Sequence, residues 1–359
     1  MDPLFRPLEF RCGAVMKNRF MLAPMTNTQS HQDGRLSEDE YRCLTMRARG
    51  GFGLTMTCAS HVQPHGKGFP GQLACFSDNH LAGLTRLAQG IRAQNSLAVV
   101  QLHHAGMRSP AEEIGVQPVC PSDDAETDAR ALTTGEVEQL IEDFVNAAVR
   151  VEKAGFDGAE IHGAHGYIIC QFLSADINRR TDHYGGSLEN RARILFEIIE
   201  GIRHRCRPGF MLGVRLSPER FGVRLGEIIE VAQQLLNDSQ IDFLDMSLWD
   251  SFKEPEEEAF RTRRLLDWFV ALDRGETRLG TAGMIRTPKD AALCLDAGVD
   301  FVLLGRAAIL RHDFPMQAYK NPQLGPVNLP VSRAYLNSQG LGDKFVDYMK
   351  RWDGFVSES

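Results

Sequence analysis

Residues 133–161 read TTGEVEQLIEDFVNAAVRVEKAGFDGAEI. Thr133 stands three residues before Glu136, the spacing at which two side chains cap each other's free backbone N–H groups at a helix start. Val137, Leu140, Ile141, Phe144, Ala148 and Val151 then recur at helical spacing, so one face is apolar. Gly155 is a natural stop, because glycine takes the left-handed conformation that ends helices. Gly158–Ile161 follows as a short strand. A long amphipathic helix feeding straight into a strand is part of a strand–helix–strand crossover, and such crossovers join parallel strands.

Working outward, the same alternation recurs along the chain. Candidate strands are Phe20–Ala23, Phe52–Thr57, Leu97–Leu102, Gly158–Ile161, Met211–Leu216, Phe243–Ser247, Arg278–Thr281 and Phe301–Leu304. A second clear helix runs from Leu188 to Arg205, with Ser187 as its N-cap. A doubly wound open sheet accommodates such a pattern, but eight similar units favour closure. The expected fold is α/β, a single (β/α)8 barrel over residues 1–359. The stretch after the third strand, about 105–132, holds Pro110, Pro118 and Pro121 and reads as a loop over the top face. Residues from about 315 to 359 form a C-terminal extension. No repeat, low-complexity tract or linker divides the chain.

A net charge of -7 offers no basic footprint for nucleic acid or an anionic membrane. No apolar run approaches the ~20 residues of a membrane helix. The start, Met1-Asp2-Pro3-Leu4-Phe5-Arg6, lacks the basic and apolar regions of a signal peptide. The eight cysteines form no C-x-x-C pair and read as reduced core thiols. These features together point to a cytoplasmic protein. Gly66-Lys67-Gly68-Phe69-Pro70-Gly71 matches G-x-G-x-x-G, but Pro70 falls where helical amides are needed and no strand directly precedes it. It is a loop.

In a barrel of this kind, chemistry belongs at the C-terminal ends of the strands. Thr26, Gln101, His162, Arg215 and Gly305-Arg306 are the polar residues there. The richest segment is His162-Gly163-Ala164-His165-Gly166-Tyr167. Imidazoles can donate hydrogen bonds to a substrate oxygen that gains charge, and a phenol can supply a proton. A metal site and structural core histidines compete with this reading, although no acidic residue or cysteine supplies a third zinc ligand at compelling spacing. Gly280-Thr281-Ala282-Gly283-Met284 and Leu304-Gly305-Arg306 follow strands seven and eight, where barrels commonly bind phosphate.

The stretch from His162 to Arg191, HGAHGYIICQFLSADINRRTDHYGGSLENR, resembles the signature of the old yellow enzyme family of FMN-dependent oxidoreductases. NRFMLAPMT (Asn18–Thr26), QLHHAG (Gln101–Gly106), GVRLS (Gly213–Ser217), GTAGM and LLGR extend the likeness, in order, over nearly the whole chain. The resemblance implies tightly bound, non-covalent FMN and NAD(P)H as reductant. It implies reduction of activated alkenes by hydride from flavin N5. His162 and His165 match the pair that holds the substrate oxygen, and Tyr167 the proton donor. Thr26 matches the residue beside flavin O4, and Gln101 and Arg215 match ring contacts. Pro24, Met25 and Ala59 match positions along the ring, and His162 also borders the cofactor. Gly283, Met284, Gly305 and Arg306 match the phosphate cradle.

Two positions depart from the family. Met107 holds the place of the usual arginine, with Arg108 next to it, and Thr28 replaces a tyrosine of the substrate cavity. The iron–sulfur cysteine spacing of larger relatives is absent, so the chain resembles the stand-alone form. The expected partners are a small activated alkene and a nicotinamide, with a homo-oligomer possible. Competing functions are a flavin enzyme catalysing a net oxidation, a flavin redox sensor with little turnover, and a metal-dependent hydrolase. Arg351 or Trp352 is expected near the substrate mouth.

Overall fold

The computed structural model describes residues 2–357. Eight parallel strands close into a barrel, neighbour to neighbour in chain order. They are β1 (Phe20–Leu22), β2 (Leu54–His61), β3 (Leu97–His103), β4 (Gly158–Gly163), β5 (Met211–Leu216), β6 (Phe243–Trp249), β7 (Arg278–Gly283) and β8 (Phe301–Leu304). All eight lie where the sequence puts them. Five run past their expected ends, β2 as far as His61, where Ser60 and His61 are polar yet buried. His61 bridges to Ala74 in the loop after β2.

The helix over Thr134–Lys153 carries the reciprocal Thr133–Glu136 cap, and the helix over Leu188–Arg205 starts at a capping Ser187. These helices and their counterparts bury one face each, forming the outer layer around the strands. The lower barrel interior is an apolar plug of Leu54, Met56, Val99, Met211, Phe243 and Phe301, among others. The ring of Phe243 lies where a Cβ on Gly213 would sit, so that strand position must be glycine. Phe10 stacks edge-on against Phe243 and Phe301 at centroid distances of 6.0 and 6.1 Å. With the N-terminal end stopped by this plug, the open mouth is at the strands' C-terminal ends.

The segment after β3 is more structured than a loop: it contains a short helix, Ala111–Ile114, and a small ribbon pairing Val119–Cys120 with Arg130–Ala131. Lys67 of the rejected glycine motif ion-pairs with its Glu113 at 2.8 Å, and no helix opens within residues 66–71. The C-terminal extension forms short helices at Phe314–Lys320, Arg333–Ser338 and Asp343–Met349. Its Leu336, Leu341, Phe345, Val346 and Met349 pack with Cys43, Ile309 and Leu310 of the barrel. All eight cysteines are unpaired, seven of them buried. Among the described residues no helix is long and apolar enough to cross a membrane, and no cluster of three metal-ligating side chains occurs.

Candidate active site

A cavity of about 390 Å³ opens at the mouth, within the usual range for ligand pockets. Pro24, Met25 and Thr26 after β1 form one wall. Gly283, Met284, Arg286, Gly305 and Arg306, after β7 and β8, form another, and Arg215 and Ser247 line its inner side. Gly283 has φ +156°, and a Cβ there would come within 2.9 Å of the Asp250 and Ser251 backbone nitrogens. Only glycine lets this backbone approach so closely.

Arg286 and Arg306 both aim Nη2 at Met284 Sδ, at 3.5 and 2.8 Å, and neither has a carboxylate partner among the described residues. Burial first, and then the charge of Arg286, lower the pKa of Arg306. Two close cations without an anion form a site that a phosphate dianion would relieve. Gln101 and Ala59 are neighbours across the β2–β3 ladder, both buried. These features fit the phosphate, ribityl chain and ring of FMN.

Beside this cavity lies the histidine cluster. His162, at the end of β4, is directly opposite Arg215 of β5. His165 sits at φ +60° in the following turn, and Tyr167 caps the short helix Ile168–Leu173. The Tyr167 ring lies 5.0 Å from His162 and 6.5 Å from His165, centroid to centroid. The network fixes the tautomers. The Ala164 N–H donates to His162 Nδ1 at 3.3 Å. The proton of His162 therefore resides on Nε2, which lies 3.2 Å from His165 Nδ1. His165 in turn carries its proton on Nε2, 2.7 Å from Ser247 Oγ. Burial, the main cause, lowers both imidazole pKa values well below 6.5, and Arg215 pushes the same way. Both rings are neutral at physiological pH. Burial raises the pKa of Tyr167, so its phenol stays protonated.

The structure brings the expected residues together, Trp352 of the C-terminal segment among them, with Thr28 the exception. Thr28 does not line the main cavity: its φ is +54° and its hydroxyl donates to the Lys344 carbonyl at 3.2 Å. The C-terminal segment supplies Tyr348, Met349 and Trp352 to the cavity wall, whereas Arg351 stacks outside on Tyr348 at 5.2 Å. Arg108 reaches the site from beside Met107. Its guanidinium lies 4.9 Å from the Tyr167 ring centroid and donates to the His165 carbonyl.

Sequence reasoning missed His103, Ser247, Trp249, Arg286 and Tyr348. His103 is buried 4.3 Å from the Tyr167 ring, centroid to centroid. It lies two residues after Gln101 on β3, so strand alternation puts both on one face and could have revealed it. Ser247 and Trp249, at the end of β6, are strand-end residues of the kind that mark a barrel's mouth. The parts played by Arg286 and Tyr348 depend on separate loops meeting, and no local pattern announces that.

A parallel barrel with a phosphate-ready cavity after β7 and β8 and a polar cluster after β4 defines a cofactor-dependent barrel enzyme. The profile of the NADH:flavin oxidoreductase / NADH oxidase family matches residues 3–324. A probable NADH-dependent flavin oxidoreductase of Bacillus subtilis, YqiG, is 37% identical over 319 residues, 86% of this chain and 85% of its own length. The structure of an old yellow enzyme homologue from Zymomonas mobilis is similar at TM-score 0.79 and 27% identity, covering 95% of this chain and 99% of that one. A mutant morphinone reductase in complex with tetrahydroNAD is similar at TM-score 0.77 and 26% identity, covering 96% of each chain. The chain belongs to the NADH:flavin oxidoreductase / NADH oxidase family, the old yellow enzyme family. It is an NAD(P)H-dependent flavin oxidoreductase with FMN as cofactor.

Proposed function

We propose that this oxidoreductase reduces activated alkenes, α,β-unsaturated carbonyl or nitro compounds, with His162 and His165 holding the activating oxygen and Tyr167 giving the proton. The observation that carries the reading is the convergence of two neutral imidazoles and a protonated phenol beside a cavity that fits FMN. Pro24, Met25, Thr26, Ala59, Gln101 and Arg215 would hold the ring, and Gly283, Met284, Gly305, Arg306 and Arg286 the phosphate. FMN bound there supplies the hydride, drawn from NAD(P)H.

The substrate oxygen would accept from the Nε2–H groups of His162 and His165, replacing His165 Nδ1 and Ser247 Oγ as acceptors. In the ground state this exchange gains little, since one hydrogen bond replaces another. As negative charge develops on the oxygen it becomes the better acceptor, so the imidazoles favour the transition state selectively. Tyr167 then protonates the carbon next to the activating group. The Arg108 guanidinium over its ring stabilises the phenolate left behind. Likeness to morphinone reductase supports this class of acceptor.

Anaerobic stopped-flow reduction by NADH and by NADPH, followed by reoxidation with enones, maleimides and nitroalkenes, tests the reading. Rapid reoxidation by at least one of these groups is expected. A reduced enzyme that none of them reoxidises, while oxygen or a quinone does, would overturn it.

A further inference from the structure

The layer of the barrel interior beneath the cavity holds two carboxyl groups and one cation. Arg215 of β5 pairs across the ladder with Asp245 of β6, and Gln101 of β3 with Glu160 of β4. All four are buried, Glu160 and Asp245 completely. Arg215 Nε lies 2.9 Å from Asp245 Oδ2. Gln101 Nε2 donates to Glu160 Oε1 at 2.7 Å. Glu160 Oε2 has no hydrogen-bond partner, and neither oxygen of Asp245 has one besides its ion contact with Arg215. Below are the apolar side chains of Met56, Val99, Met211 and Phe243, and above are the neutral His162 and His165. Arg215 is the one cation facing this layer among the described residues.

Two ionised carboxylates here would leave one buried negative charge uncompensated, an arrangement proteins avoid by retaining a proton. The contacts decide where that proton sits. Asp245 touches the guanidinium and keeps its charge at lower cost. Glu160 has only a neutral amide beside it, donating to Oε1, so Oε2 can carry a proton without giving up a hydrogen bond. Burial raises the pKa of both groups, and the charge of Asp245 raises Glu160 further. The pair shares its titration, with the proton retained longest belonging to the pair as a whole and residing mainly on Glu160.

We propose that Glu160 is held as a neutral acid beside the Arg215–Asp245 ion pair, and that its proton positions the charge balance under the redox ring. With Glu160 protonated, the layer is neutral overall and Arg215 can favour negative charge on the ring above it. Loss of that proton leaves a buried anion in the layer and opposes reduction. Glu160 acts through Arg215, so it is a positioning residue. The inference rests on FMN lying over Arg215, and the test separates the two.

The reduction potential of the FMN-loaded full chain is measured from mildly acidic to alkaline pH, for wild type and Glu160→Gln. Glutamine keeps the shape and remains neutral throughout. Wild type should lose potential more steeply once Glu160 ionises, while Glu160→Gln follows it at low pH and lacks the extra fall. Glu160→Asp, which still titrates, should regain it. Infrared difference spectra of wild-type reduction add a readout that needs no variant: a protonated-carboxyl band that shifts on reduction at neutral pH and disappears at alkaline pH. Parallel potential curves for wild type and Glu160→Gln, or no such band, would overturn the proposal. Wild-type protein that takes up no FMN would instead sink the reading of the cavity.

Discussion

Ser247 Oγ lies 2.7 Å from His165 Nε2 and also 3.4 Å from Arg215 Nη2, so one hydroxyl joins the His162–His165 pair to the cavity-side cation. Both neighbours are donors, which makes Ser247 the acceptor that holds the His165 proton on Nε2.

Ser247→Ala therefore removes the acceptor of the His165 Nε2 proton and leaves the His162 contact alone to select that tautomer. A net hydrogen bond is worth about 1 kcal/mol, or roughly a fivefold effect. Reoxidation by an enone should slow by about that factor, with flavin reduction by nicotinamide changed less. Nitrogen-15 NMR of the histidine rings should show His165 shifting from a single Nε2–H form to a mixture, and Ser247→Thr should restore it. An unaltered His165 signal would show that the tautomer is set elsewhere.

Arg286 and Arg306 meet across two loops with no carboxylate partner among the described residues. A hydrogen bond to a charged group is worth about 1.5–3 kcal/mol, so Arg286→Ala should weaken FMN binding by about 10–100-fold. Riboflavin, which lacks the phosphate, should bind variant and wild-type apoprotein alike. Flavin fluorescence titration reads both constants. Equal losses for FMN and riboflavin would mean that Arg286 shapes the ring pocket and not the phosphate site.

The barrel was legible because its signal is repeated and local. Met211–Leu216, Phe301–Leu304 and the helix over 188–205 coincide with their sequence limits, since apolar runs and caps mark both ends. Strand ends were harder, because Ser60 and His61 are polar yet buried by the loop that bridges to Ala74. At the site, His162, His165 and Tyr167 stood out as a cluster within six residues. Arg286 and Tyr348 gave no such signal: one depends on Arg306 twenty residues away, the other on a terminal helix docking near Thr28. Arg108, one position from the family's arginine, reaches the Tyr167 ring over a 3-10 turn at Gly106–Arg108.

Acid should destabilise the fold through its buried histidines. Burial lowers His61 to about 4, and His103, His104, His162 and His165 well below 6.5. Their folded-state pKa values lie below those of the unfolded chain, so the unfolded state binds more protons on acidification. The stability they confer is complete above about pH 6.5 and is lost as pH falls toward the folded values. Glu40, Glu160 and Asp245, raised by burial, work in the opposite sense, losing stability as pH rises above the ordinary carboxyl range. Five histidines outweigh them between about pH 5 and 6.5. Each contributes a slope of up to about 1.4 kcal/mol per pH unit. Urea unfolding at several pH values should show this acid limb, and His103→Gln should flatten it by up to that slope. A limb identical in the variant would mean that His103 is protonated in the folded state.

Tyr167→Phe should separate the two halves of the catalytic cycle. Nicotinamide reduces the flavin by hydride transfer, and no proton from the protein is required at that step. Reduction of an enone needs hydride at one carbon and a proton at the next, and Tyr167 is the protonated phenol beside the imidazole pair. Losing a positioned general acid costs about 10²–10⁴-fold, or roughly 3–5 kcal/mol of barrier. The variant should keep its FMN and its rate of flavin reduction within a few-fold, and its reoxidation by a simple enone should slow by about that factor. Nitroalkenes should suffer less, because a stabilised nitronate can leave the site before it is protonated. His103, 4.3 Å from the same ring, is the nearest imidazole outside the His162–His165 pair and the candidate to take over. A Tyr167→Phe enzyme that keeps a fast enone reaction, and loses it only when His103→Gln is added, would transfer the acid role to His103. Equal slowing of both half-reactions would point to a distorted pocket and not to a lost proton donor.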